Sequence, residues 1–181
     1  MQASIMTGRI QPLRKMAILI AGAAVLTASS YAAVPMVPVP ITMQTLAVLL
    51  VGAIAGPRMG LAAIVSWLGL AALGLPVLAN GNGAAAFVGP TAGFLFSFPI
   101  AGFLAGVATR TLATGHVSRF GAFMALHALI LAMGWAWLAT IIGPEAAFLS
   151  GVAPFIVGGV IKSALGAAIL AALDKNGRSA K

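Results

Sequence analysis

Lys162 stands inside a long apolar run, 148–173, with no Asp or Glu within a helical turn on either side. A charged group at the middle of a membrane helix costs about 2.5–3.5 kcal/mol on insertion scales. Such a lysine either snorkels along its stem to an interface or faces a cavity. It is far from the basic C-terminal tail, and the opposite flank carries no basic residue, so the cavity is the better reading. A lone lysine there suits an anionic or strongly accepting ligand. Thr42, Gln44 and Thr45 sit where a proline-rich stretch enters the next apolar run. Buried amides and hydroxyls demand partners, so they could orient a ligand. Thr42 could equally cap the helix that follows.

Asn80-Gly81-Asn82-Gly83 is a second polar cluster. Its glycines permit positive φ, which would let the chain fold back into the mouth of a bundle. Its asparagines can both donate and accept. Asn-Gly is also what an ordinary turn requires. Trp67, Phe87 and Phe94 could wall an apolar pocket, or pack as core or against lipid. Trp135 and Trp137 suit helix packing or an interfacial belt. His127 has no His, Asp or Glu partner in its own run and reads as a poor ligand or proton relay. Ala17, Ala21, Ala24 and Ala28 recur at helical spacing, a small-residue pattern that lets another helix approach closely.

Other chemistries lack their ingredients. There is no cysteine, no Gly-x-x-x-x-Gly-Lys-Ser/Thr phosphate loop and no His-Glu-x-x-His pair. The only acids are Glu145 and Asp174, in a loop and in the tail. Metal and acid–base catalysis are therefore not expected, and neither is a cofactor in this chain. Any ATP hydrolysis must come from a partner.

These residues are carried by a chain that is 61% hydrophobic and only 7% charged. Soluble domains hold about a quarter charged residues, so the apolar surplus must face lipid. The net charge of +8 comes from short basic clusters between apolar runs, without a basic helix or aromatic-basic platform. That pattern argues against nucleic acid. The apolar runs predict an all-α integral membrane protein of six transmembrane helices near 15–33, 43–55, 59–75, 91–108, 120–142 and 148–173. Residues 1–181 then form a single membrane domain, with the bundle over about 14–173 and tails at 1–13 and 174–181. Three prolines between Val34 and Thr42 preclude regular helix there. Gly56-Pro57 and Gly143-Pro144 read as turns with proline in the first turn of the next helix, and Pro99 as a kink.

Arg14-Lys15 before an apolar stretch ending in small residues also matches a secretory signal. Cleavage would leave five spans and scatter the basic loops to both sides. With six spans and cytoplasmic termini, the inner segments hold Arg9, Arg14, Lys15, Arg58, Arg110, Arg119, Lys175, Arg178 and Lys181. The outer segments then hold no Lys or Arg, as the positive-inside rule expects.

Several motifs are familiar together. They are Pro38-Val39-Pro40-Ile41-Thr42-Met43-Gln44-Thr45, Gly56-Pro57-Arg58-Met59-Gly60, Gly74-Leu75-Pro76-Val77 and Gly89-Pro90-Thr91-Ala92-Gly93-Phe94. In order and spacing, over about 14–173, the chain resembles the biotin-specific substrate-binding (S) component of energy-coupling factor transporters. The resemblance implies a six-helix membrane subunit that captures biotin near the outer face of a bacterial inner membrane. It implies a transmembrane coupling (T) protein and two cytoplasmic ATPases, which use ATP and Mg, as partners. It implies docking of the coupling protein on Ala17, Ala21 and Ala24, and a ligand contact from Asn80 or Asn82. One position departs. The family pattern places an acid three residues before the lysine, and here that position is Gly159. The departure leaves two alternatives open, another small molecule in the same fold or a membrane scaffold without a ligand.

Overall fold

The computed structural model describes residues 2–112 and 115–179, the side chains of 2–10 and 176–179 excepted. Lys181 lies outside the described residues, as do the side chains of Arg9 and Arg178. The helices are α1 (Gln2–Tyr31), α2 (Gln44–Ala55), α3 (Pro57–Ala72), α4 (Ala92–Thr111), α5 (His116–Ile142), α6 (Pro144–Gly151) and α7 (Ala153–Ser179). The proline-rich stretch is non-helical, as expected. Its two ends pair as short antiparallel strands, β1 (Ala33–Val34) with β2 (Ile41–Thr42), in the register Ala33 to Thr42 and Val34 to Ile41. The α3–α4 connection carries two 3-10 turns, Ala79–Gly81 and Ala84–Phe87.

The expectation of six crossing helices holds in coarser form. Four stretches among the described residues are long and apolar enough to cross a membrane: Gln11–Tyr31, Ala92–Thr111, His116–Ile142 and Pro144–Lys175. α2 and α3 are apolar but shorter. With 12 residues, α2 rises about 18 Å, against a hydrocarbon core of about 30 Å. The β1–β2 segment precedes it in the chain.

The last span also differs from expectation. The predicted run 148–173 is two helices broken at Val152 (φ −123°, ψ −58°). Pro154 supplies the reason: it has no N–H to give the preceding turn, and its ring crowds the carbonyl four residues back. Pro99 does not break α4, which continues through it. The Gly-Pro turns are as predicted. Gly56 (φ 85°) and Gly143 (φ 84°) end α2 and α5 in a conformation that suits glycine, and Pro57 and Pro144 open the next helices.

α4 is the centre of the bundle, packed on α2, α3 and α5. α5 continues the packing to α6 and α7, and α1 lies against α2 and α3. Glycines allow the tight α2–α3–α4 contacts. A methyl added at Gly52 would strike the backbone of Gly102, and one at Gly106 would sit 2.5 Å from the Pro57 nitrogen. The core between them is Leu26, Leu49, Ile64, Trp67, Phe98 and Phe123. At one end the basic residues tie helix termini together. Arg110 donates to the Ala55 carbonyl, and Arg119 pairs with Asp174 across the start of α5 and the end of α7. At the other end, Tyr31 donates to the Pro76 carbonyl and Trp137 to that of Gly89.

Candidate ligand-binding site

A cavity of about 360 Å³ opens at the end of the bundle away from the arginines. The β1–β2 segment, from Met36 to Thr42, covers one side with the first turn of α2. The α3–α4 connection forms the rim, and α4, α5 and α7 supply the floor and far wall. The walls are mostly apolar, and the polar groups converge from separate segments. This is the usual construction of a small-molecule site, and the volume lies within the usual range of about 300–1,000 Å³.

Lys162 is 8% exposed and lines the cavity. Its Nζ donates to the Thr42 carbonyl at 2.6 Å and to Thr45 Oγ1 at 3.3 Å. The sequence reading of an unpartnered lysine is therefore corrected: no acid offsets it, but two neutral acceptors hold it. Hydrogen bonds to charged groups contribute about 1.5–3 kcal/mol each, so two of them match the cost of placing the lysine in the membrane. An ammonium has three N–H donors, and these two acceptors engage two of them.

The other side of this clamp is itself braced. Gln44 Nε2 donates to Ser30 Oγ on α1 at 2.7 Å. Thr42 Oγ1 donates to Gln44 Oε1 at 3.1 Å and accepts from the Gln44 backbone N–H at 3.3 Å. Thr42 is not the N-cap of α2, which is Met43; it braces the first turn from one residue further out and lines the cavity. The Ser30–Gln44 bond links α1 to α2, the local Thr42–Gln44 bonds add β2, and the Lys162 bonds add α7.

At the rim, Asn80 and Asn82 both line the cavity and both are exposed. They are not equivalent. Asn80 sits at φ 59°, a left-handed conformation that asparagine tolerates, and turns the chain back. Asn82 Nδ2 donates to the Ala79 carbonyl at 3.0 Å, closing the same turn. Asn82 is therefore partly committed to the loop.

Phe94 lines the cavity and lies against Phe155 with ring centres 6.3 Å apart. Gly159 lines it too, and a methyl added there meets only the His127 Cβ, at 3.8 Å. Trp67 does not line it. It is fully buried behind Phe98, stacked at 6.3 Å, and donates to the Val77 carbonyl at 3.3 Å. Its size places it in the core, and it supports the wall from behind. Phe87 also lies off the cavity, against Phe96. Trp135 and Trp137 fasten helix ends through the carbonyls of Pro144 and Gly89.

Sequence reasoning set His127 aside for want of a His, Asp or Glu partner, and the structure gives it partners of other kinds. The residue is 5% exposed, lines the cavity and has partners on two helices. Those partners are a backbone carbonyl and a serine 36 residues away, which no search for acids or other histidines finds. Ala17, Ala21 and Ala24 are remote from the cavity. They share an exposed face of α1, while Gly22, Leu26 and Ser30 face the bundle.

A few directed hydrogen bonds in an apolar cavity are what holding a small molecule requires, and the fold around them makes this a membrane-embedded binding protein. A family model described as BioY family matches residues 1–179, and the chain belongs to the BioY family. It is 41% identical over 140 residues to the probable biotin transporter BioY of Pyrococcus horikoshii, covering 77% of this chain and 83% of that one. It is 34% identical over 160 residues to biotin transporter BioY2 of Lactococcus lactis subsp. cremoris, covering 84% and 88%. It is also similar to the crystal structure of the S-component for biotin from an ECF-type ABC transporter. The TM-score is 0.78 at 28% identity, over 91% of this chain and 93% of that one. The chain is a multi-pass membrane protein of a transporter family.

Proposed function

We propose that this protein binds biotin as the substrate-capture subunit of an energy-coupling factor transporter and is not itself an enzyme. The observation that carries the reading is a cavity with a clamped Lys162 in a chain that belongs to the BioY family throughout. Lys162 gives its remaining N–H to an accepting oxygen of biotin. Asn80 offers its amide at the rim, with Asn82 holding the turn and contributing its oxygen. Gln44 and Thr42 set the clamp, Phe94 packs on the apolar part of the ligand, and Gly159 leaves room beside it. Trp67 acts only through Phe98. The two alternatives, another ligand and a scaffold without one, have no observation of their own in their favour.

The reading extends to partners and place. A transmembrane coupling protein docks on the exposed Ala17, Ala21 and Ala24 of α1, where small side chains let a helix approach. Two cytoplasmic ATPases supply the ATP and Mg chemistry. The termini and the arginine-rich end face the cytoplasm of a bacterial cell, in keeping with the positive-inside rule, and the cavity opens outward from the inner membrane.

The test is mass spectrometry of ligand released from the purified protein, followed by titration of the ligand-free protein with biotin. Released biotin and saturable binding at one site per chain are expected. No biotin released and no binding on titration overturn the reading.

A further inference from the structure

His127 is the one buried side chain among the described residues with a polar atom, Nε2, that lacks a hydrogen-bond partner. The rest of the ring is fully engaged. Nδ1 lies 3.0 Å from the Phe123 carbonyl and 3.0 Å from Ser163 Oγ. A carbonyl only accepts, so Nδ1 carries the proton. Ser163 Oγ donates its own proton to the Gly159 carbonyl at 2.7 Å, so it too meets Nδ1 as an acceptor. In the neutral ring this arrangement sets the tautomer and leaves Nε2 as a bare acceptor. A buried polar group without a partner is costly, and natural structures keep few of them. This one belongs to a residue of the cavity wall, whose Cβ lies 3.8 Å from where a methyl on Gly159 would sit.

We propose that His127 is a ligand-contacting residue whose Nε2 accepts a hydrogen bond from an N–H of the bound molecule. This rests on the biotin reading, under which the donor is one of the two ureido N–H groups. Ser163 and the Phe123 carbonyl are positioning groups, since they hold the ring in the accepting tautomer. The site then selects for a ligand that donates at this point, and it disfavours analogues with an oxygen or a methylated nitrogen there.

Three measurements test it on the full-length protein. The first is titration of the parent, His127→Leu and His127→Gln with biotin and with analogues methylated singly at either ureido nitrogen. The leucine variant is expected to bind biotin roughly tenfold or more weakly, the loss typical of removing one partner of a buried pair. It should also lose the parent's preference for biotin over one of the two analogues. The glutamine variant keeps an acceptor and should retain most of both. The second is the double variant His127→Leu with Gly159→Asp, whose new carboxylate should restore binding. The third needs no substitution. The chain has two histidines, so nitrogen NMR of the histidine-labelled protein resolves His127 from His116, and the His127 Nε2 resonance should move when biotin is added. A parent that does not bind biotin overturns the biotin reading and this assignment with it. A parent that binds biotin with a stationary Nε2 resonance, or a leucine variant that binds and discriminates like the parent, overturns the His127 assignment alone.

Discussion

The cavity and the outer face of α1 are built on opposite principles, although α1 takes part in both. The cavity is held by hydrogen bonds between segments far apart in the chain: Ser30 to Gln44, Lys162 to Thr42, His127 to Ser163. Removing one partner leaves the other buried and unsatisfied, so each position is sensitive. The face made by Ala17, Ala21 and Ala24 carries no polar side chain and is exposed. What it offers is closeness of approach, and it is sensitive only to bulk. Capture and coupling should therefore be separable by substitution, and each prediction below either separates them or shows that they are joined.

The largest expected effect is on coupling. Ala21→Trp should abolish biotin uptake in cells that carry the complete transporter, while biotin binding by the isolated subunit stays within about twofold of the parent. Loss of both together would mean that the face is part of the fold, and the separation would collapse. Next is Lys162→Ala, which removes the cavity's basic group and frees the Thr42 carbonyl. Biotin affinity should fall by roughly 10- to 100-fold, the range set by breaking a charged hydrogen bond of about 1.5–3 kcal/mol. Yield in the membrane should be unchanged or better, because an insertion cost is removed. Unchanged affinity would take the lysine out of the site.

The rim provides a finer contrast. Asn80→Ala should weaken biotin binding about tenfold through a lost contact. Asn82→Ala should act through the turn that it closes, with a smaller loss of affinity and faster proteolysis of the 78–83 segment. Equal and negligible effects on affinity would reduce the loop to an ordinary turn. The smallest effect expected is a gain. Gly159→Asp adds one acceptor beside His127 where there is room for it, so biotin should bind about fivefold more tightly, equivalent to about 1 kcal/mol. Titration calorimetry reads all three binding effects, and no gain at Gly159 would mean that no further donor of the ligand faces that wall.

Much of the fold was legible in the sequence because lipid and proline act locally. Apolar runs placed the helices, and Gly-Pro pairs placed two of their turns. The break at Val152 was written in Pro154, but a continuous apolar run concealed it.

The site was legible where a residue is anomalous by itself. Lys162 is a charge among apolar residues, and Asn80 and Asn82 are polar between glycines. It was illegible where a residue's meaning comes from its neighbours in space. Trp67 could be pocket wall, core or lipid-facing in sequence, and it is a core residue one layer back. His127 resembled an isolated ring because its partners are a carbonyl one helical turn away and a serine on another helix. Thr42 read as a cap in sequence, and the cap position falls to Met43.

The clamp on Lys162 also bears on how the protein is made. Thr42 and Lys162 are 120 residues apart, and synthesis runs from the N-terminus. The carbonyl that receives the lysine therefore leaves the ribosome long before the lysine does. α7 follows α1 to α6 in the chain, so its cation is made after the helices it meets. The acceptor is a peptide oxygen, which every amino acid at position 42 would supply, so the receiving berth depends on the path of the chain more than on the residue there. An apolar helix with one buried cation thus follows, in the order of synthesis, the segment whose carbonyl receives that cation.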